Sequence, residues 1–186
     1  SSGCARSSSS AARASGSSAS LPPFPASQAY TLSEMNERTF TRLAEEYAGR
    51  LYAVAYRMLG NRADAEDAVQ RALMKAFAAR ASYSPRWAVS TWLYRIVSNV
   101  CIDELRRRKP PLEPAPDHGH RPARVERLDL QRALATVPRE ARLLLALHYV
   151  DGLSYRELAK IRGISINTVK SQLARGKVIL RRKLEE

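Results

Sequence analysis

The stretch "VDGLSYRELAKIRGISINTVKSQLARGK", Val150 to Lys177, decides the fold. Its "SYRE" segment sets Ser154 and Glu157 three residues apart, the spacing at which a hydroxyl and a carboxylate satisfy the orphan amides of a helix start. A short helix, "YRELAKI", should follow. Gly163 turns the chain, Ser165 caps again, and a long helix is expected from Ile166 to about Leu184. A short capped helix, a tight turn and a longer second helix make a helix-turn-helix. On the second helix Ile166, Val169, Leu173, Gly176 and Leu180 share one side, where Gly176 lets a neighbour approach closely. The opposite side carries Asn167, Thr168, Ser171, Ala174, Arg175 and Arg182, with Lys170, Gln172 and Lys177 on its flanks. Arginine and glutamine read base edges bidentately, serine and threonine bond bases or phosphates, and alanine touches the thymine methyl. Lys170, Lys177 and Arg181 suit phosphates. The plain alternative is a helical hairpin with a solvated basic face. Two caps, a turn glycine and that exposed polar face together favour duplex DNA.

Upstream of this stretch, "RLDLQRALATV" reads as one helix. Pro138 sits at the first turn of another that runs through "REARLLLALHYV" to Gly152. Residues 127–186 thus form one helical unit. Residues 110–126, "PPLEPAPDHGHRPARVE", read as a proline-rich linker. Its His118 and His120 lack a nearby cysteine and read as linker, so no metal is expected.

A second helical unit spans 35–109. Leu43, Tyr47, Leu51, Val54 and Met58 mark one apolar face at steps of three and four, ended by Gly60-Asn61. Asp64 is placed as the cap of the next helix, with Glu66 and Asp67 in its first turn and Val69, Leu73, Ala76 and Phe77 inward. A loop with Tyr83 and Trp87 follows. Ser90 is placed as the cap of a third helix, "STWLYRIVSNVCIDELRRRK". No strand pattern stands out, so the chain is read as all-α: two small helical domains joined by a flexible linker. Residues 1–34, rich in Ser and Ala, read as a disordered head; the natural start is expected at Met35, with the upstream residues a mis-assigned start or tag remnant, in preference to a transit peptide of similar composition.

Charge narrows the partners. The formal net charge is +13 and the pI about 10.3. Residues 36–109 hold 14 basic and 8 acidic groups, and residues 127–186 hold 13 and 6, so both units favour a polyanion. No apolar run approaches the roughly 18 residues of a membrane span, so no membrane insertion is expected. Cys4 and Cys101 suit a reducing compartment, with Cys101 a core residue. On the third helix Trp92, Arg95, Asn99, Asp103 and Arg106 share a face, while Leu93, Ile96, Val97, Val100 and Cys101 face inward. Rings that stack on bases, an amide that reads an edge and arginines that hold phosphates are what a single-strand binder needs. Equally, Trp92 fits a core position and Asn99 a solvated one.

"DAEDAVQRALMKAF", "STWLYRIVSNVCIDELRRR" and the opening stretch, in this order and spacing, resemble the signatures of bacterial sigma factors of the extracytoplasmic-function (ECF) group. The resemblance covers about residues 36–186. It implies a non-enzymatic, cytoplasmic promoter-specificity subunit without cofactor. Residues 35–109 would be region 2, with Asp67, Gln70 and Met74 contacting the β′ clamp helices of core RNA polymerase. Tyr83, Trp92, Arg95, Asn99 and Arg106 would capture and melt the −10 element. Residues 127–186 would be region 4, apposed to the β flap, with Asn167, Thr168, Lys170, Ser171, Gln172, Arg175 and Lys177 reading the −35 element. An anti-sigma factor is an implied partner beside core polymerase and promoter DNA. Three positions depart from the family pattern: Arg71 where an acid is usual, Gln172 where arginine is frequent, and Ser84-Pro85 where Arg-Gly is common. A stand-alone LuxR-type helix-turn-helix regulator is the alternative, against which the region 2 signatures argue. No Ser/His/Asp set, P-loop or dinucleotide glycine pattern suggests an enzyme, and His118, His120 and His148 have no evident partners.

Overall fold

The computed structural model describes residues 35–84, 86, 88–107 and 123–185, with the backbone alone for 123–128. The head expected over 1–34, most of the proline linker, His118, His120, Pro85 and Trp87 lie outside the described residues. Among the described residues there are seven α-helices: α1 (Glu37–Leu59), α2 (Arg62–Ala79), α3 (Val89–Arg107), α4 (Ala123–Thr136), α5 (Arg139–Asp151), α6 (Tyr155–Arg162) and α7 (Ile166–Glu185). The described residues contain no strand.

Local chemistry sets the helix ends. The Asn36 side chain accepts from the Thr39 amide at 2.9 Å and starts α1; Gly60, at φ 83°, ends it in the left-handed region that side chains avoid. The capping box of α6 is formed, with Glu157 accepting from the Ser154 amide at 2.8 Å and Ser154 accepting from the Glu157 amide at 3.3 Å. Ser165 accepts from the Thr168 amide at 3.0 Å and opens α7.

Several boundaries differ from the sequence reading. Asn61, not Asp64, caps α2; its side-chain Oδ1 accepts from the Asp64 amide, and its NH2 group also bonds the Asp64 carboxylate. Both residues are good caps, and the earlier one wins because Arg62 already has helical geometry. α3 begins at Val89, and Ser90 is a buried helical residue rather than a cap. Pro138 is the residue before α5 rather than inside its first turn. The last four residues of the expected linker, 123–126, belong to α4.

α1, α2 and α3 pack as a three-helix bundle; α4, α5 and α6 gather around α7. The apolar faces expected for α1 and α3 are inward: Leu43, Tyr47, Leu51, Val54 and Met58 are buried, as are Leu93, Val97, Val100 and Cys101. Gly176 on α7 lies against α5, where an added Cβ would stand 3.0 Å from Leu145 Cδ1 and 3.2 Å from Ala141 Cβ.

The two bundles do not stand apart. α5 packs on α1 and α6 on α3, and one apolar core runs through both. At this junction Arg142 of α5 donates from Nη1 to the Met58 carbonyl at 3.0 Å. Its Nη2 donates to the carbonyls of Ala135 at 2.6 Å and Val137 at 3.1 Å. One guanidinium therefore serves the C-terminal ends of α1 and α4, where the helix dipole favours a cation. Burial, with Arg139 nearby, lowers its pKa. Asp151 closes α5 in the same junction. Its carboxylate approaches the Tyr94 hydroxyl of α3 without reaching standard hydrogen-bond geometry, and Arg50 of α1 attracts it. Desolvation outweighs both and pushes Asp151 up to about 6, while burial and Asp151 push Tyr94 up as well. Position adds to the cost, since a carboxylate at a helix C-terminus opposes the dipole.

Two stability predictions arise here. Gly176→Val should overpack the α5–α7 contact and cost about 1–3 kcal/mol in urea unfolding, with the slope unchanged. For Asp151, a folded pKa above the unfolded 3.8 means that the native state holds the proton more tightly. Wild-type stability should fall as pH rises from about 4 to about 6 and then level off. Asp151→Asn should remove that fall, leaving the variant more stable than wild type at pH 7.5 by up to roughly 3 kcal/mol, with the gap closing near pH 4.

Candidate nucleic-acid interface

α7 presents its polar face to solvent. Val169, Leu173 and Gly176 are buried against the bundle, so Asn167, Thr168, Lys170, Ser171, Arg175 and Lys177 are exposed on the outer side. Gln172 is half-buried on the flank. Thr168 and Ser171 are partly spoken for: the Ser165 and Thr168 hydroxyls bond at 2.9 Å, and Ser171 donates to the Thr168 carbonyl at 3.0 Å. Those bonds stiffen the first turns, the part of a recognition helix that enters a groove. Lys177 lies over the Tyr149 ring, 5.4 Å from its centroid, and the tyrosine hydroxyl raises its pKa. The helix is thus a rigid, cationic and outward surface of a width suited to the major groove.

The expected single-strand surface is only partly as the sequence suggests. Arg95, Asn99 and Arg106 are exposed on α3, and Arg106 pairs with Asp103 at 3.5 Å. Tyr83, expected in an open loop, is only 1% exposed, and its ring packs edge-on against Trp92 at 5.3 Å. Turning it outward for a base would leave a hole in the core, which costs more than a stacked base returns. Trp92 is half-buried on the same core. Packing accounts for both, since large rings at the loop–helix junction gain more from mutual burial than from solvent.

On α2, Asp67, Gln70 and Met74 form an exposed strip, and Met74 is 72% exposed. Arg71, the residue that departs from the family pattern, turns sideways. It pairs with Asp67 at 2.8 Å and with Glu104 of α3 at 2.8 Å, and the Glu104 bond is the main cause of its raised pKa. The departure therefore has a local use, tying α2 to α3.

Residues that the sequence reading passed over also sit at this surface. Arg162, in the last turn of α6, has a side chain only 14% exposed. It donates to both carboxylate oxygens of Glu140, at 3.0 and 3.2 Å, and from Nη1 to the Asn99 amide oxygen at 3.0 Å. A basic residue in a helix's last turn ordinarily reads as solvated, and no local pattern distinguishes this one. His148 is corrected too: its Nδ1 lies 2.8 Å from the Leu153 carbonyl, between the rings of Tyr149 and Tyr155, as a structural tie for the α5–α6 turn. Among the described residues no cluster of metal-ligating side chains occurs, and no helix is long and apolar enough to cross a membrane.

Two family models match the chain in the order of its two bundles: Sigma-70 region 2 over residues 43–110 and Sigma-70, region 4 over residues 127–180. The chain is 32% identical over 171 residues to the ECF RNA polymerase sigma factor SigW of Bacillus subtilis, covering 81% of this chain and 91% of the relative. It is 33% identical over 157 residues to the ECF RNA polymerase sigma factor SigE of Mycolicibacterium smegmatis; the match covers 77% of this chain and spans 60% of that relative's length. The fold is similar to that of the sigma factor RpoE from Bartonella quintana, solved in complex with the anti-sigma factor NepR, with a TM-score of 0.69 and 26% identity over 80% of this chain and 98% of that one. With an outward recognition helix on one bundle and both family regions in sequence, the chain belongs to the extracytoplasmic-function sigma factors, the promoter-specificity subunits of RNA polymerase.

Proposed function

We propose that the α1–α3 bundle, residues 35–109, is the unit that binds core polymerase and takes up the −10 element, and that residues 127–186 read the −35 element, with a linker over 110–126. The observation that carries this reading is the separation of two exposed polar faces, on α7 and on α3, each backed by its own buried apolar side. Asn167, Thr168, Lys170, Ser171, Arg175 and Lys177 face the duplex, with Gln172 at the margin. Arg175 is the base-reading candidate, because its fork matches the guanine edge bidentately. Asn99 reads an extruded base, and Arg95 and Arg106 hold phosphates around it; the exposed part of the Trp92 ring stacks on a base, and Tyr83, packed against that ring, holds it in place. Asp67, Gln70 and Met74 meet the β′ clamp helices, and the α4–α7 bundle meets the β flap. The chain is not an enzyme and acts in the bacterial cytoplasm without a cofactor. An anti-sigma factor is its regulatory partner, a reading supported by the solved complex of the structural neighbour.

Melting needs help from core polymerase. Unpairing costs a few kcal/mol per base, and each stacked base returns about 1–3 kcal/mol, so one bundle alone sits near balance.

Transcription in vitro with sigma-free core polymerase and a pool of genomic fragments tests the reading. The chain should produce discrete start sites that share −35 and −10 sequences, lost on Asn99→Ala or Arg175→Ala. Tight duplex binding by the chain alone with no stimulation of core would instead indicate the stand-alone regulator. Met74→Ala should weaken association with core about tenfold or more in a competition assay while leaving the unfolding free energy within about 0.5 kcal/mol of wild type, because the side chain is 72% exposed and outside the buried core.

A further inference from the structure

Tyr149 stands in the last turn of α5 with 59% of its surface exposed, although Tyr47, Tyr83 and Tyr94 are buried. Its ring is nonetheless seated. His148 packs edge-on against it at 4.8 Å. His148 is held in turn by the Tyr155 ring, 5.1 Å away, and by the Leu153 carbonyl, to which Nδ1 donates at 2.8 Å. Lys177 of α7 extends over the Tyr149 ring, with Nζ 5.4 Å from the centroid. An aromatic face attracts an ammonium and limits how far its flexible stem can roam. The tyrosine hydroxyl acts in the same sense, raising the lysine's pKa.

Position on α7 decides what this pair can touch. Val169, Leu173 and Gly176 form the buried side, and Asn167, Ser171 and Arg175 stand roughly opposite. Lys177 belongs to neither group. It shares a flank with Lys170, two turns earlier. In a helix lying in the major groove, the outer face meets base edges and the flanks meet the strands that wall the groove. A lysine on the flank suits a phosphate, and a tyrosine hydroxyl beside it can donate to the same kind of oxygen.

We infer that Tyr149 is a further DNA-contacting residue: its hydroxyl and the Lys177 ammonium, brought together from α5 and α7, grip one backbone phosphate beside the duplex that α7 reads. The inference rests on the assignment of α7 to duplex DNA. Such a grip supplies position and affinity but no sequence choice, because every nucleotide carries the same phosphate. It also sets the angle of entry. A contact from α5 resists rolling of α7 about its own axis, which a contact on α7 alone does not.

The test uses the full chain bound to core polymerase on a promoter obtained from the transcription assay. Single phosphates around the −35 element are replaced, one at a time, by uncharged methylphosphonates. Wild type should lose about threefold to tenfold in affinity at one position on one strand beyond the losses common to all variants. Tyr149→Phe, which keeps the ring and removes the hydroxyl, and Lys177→Gln should each weaken binding to unmodified DNA by about threefold or more. The loss should be the same on promoter and on −35-mutated DNA, and each variant should lose most of the penalty at that one position. In the double variant the two losses should be less than multiplicative, as expected when both groups hold one phosphate. Weaker binding by Tyr149→Phe with the penalty kept at every position would overturn the inference and leave the tyrosine a support for the α5–α6 turn. Unchanged DNA binding by Tyr149→Phe would overturn it as well; weaker association with core in that case would place the ring in a protein contact. Failure of the underlying reading looks different: wild type itself would be indifferent to the −35 sequence and to every methylphosphonate around it.

Discussion

The guanidinium of Arg142 is the constraint on which the arrangement of the two bundles depends. It sits where α1 and α4 end and where α5 begins its pass between them, and it satisfies carbonyls that no amide of their own helices reaches. Arginine suits this place for two reasons: its charge complements two helix C-termini, and its planar fork serves several acceptors at once. Around that anchor the leucines of α5 complete a core shared with α1. α5 is consequently both the floor on which α7 lies and the wall against which the first bundle rests.

From that floor the functional surfaces are placed in turn. α7 approaches α5 closely only because residue 176 has no side chain, and this approach orients the whole polar face of the recognition helix outward. α6 is set by its capping box and by the His148 tie at the preceding turn, which fixes the position of Arg162 over α3. A short helix and two turns thus carry a single cation across to the other bundle. The electrostatics of the chain are not simply a uniform basic coat. Some arginines are spent internally, on Glu104, Glu140 or backbone carbonyls, and others face solvent on α3 and α7.

Arg71 shows how a departure from a family pattern can be read physically. Considered alone, a cation in a strip that contacts another protein reverses the local charge. In the fold it pairs with Asp67 along its own helix and reaches Glu104 on the next, while Arg107 also bonds Glu104. The α2 strip keeps its exposed Gln70 and Met74, and the bundle gains a bridge between two helices.

Sequence alone determined the all-α class, the order of the helices, the helix-turn-helix, the inner faces of α1 and α3 and, from Val169 to Gly176, that of α7, whose expected first member Ile166 is exposed. Those features rest on local spacing: a 3.6-residue period, a Ser-x-x-Glu box and glycines at positive φ act over a few residues and are written contiguously. The exposed face of α7 was legible for the same reason, since a helix with one buried side has only one other. Cap positions moved by a few residues where two nearby residues could serve, as with Asn61 and Asp64, three apart. What only tertiary structure decided lies between segments far apart in the chain. Tyr83 and Trp92 bury against each other because of a loop path that no periodicity encodes. Met58, Asn99 and Tyr94, which Arg142, Arg162 and Asp151 meet across the junction, lie tens of residues away on other helices, and an arginine in a helix's last turn looks the same in sequence whether water or an asparagine receives its hydrogen bond. The docking of one bundle on the other is a sum of such long-range contacts, each set by where whole helices come to rest rather than by the residues beside it.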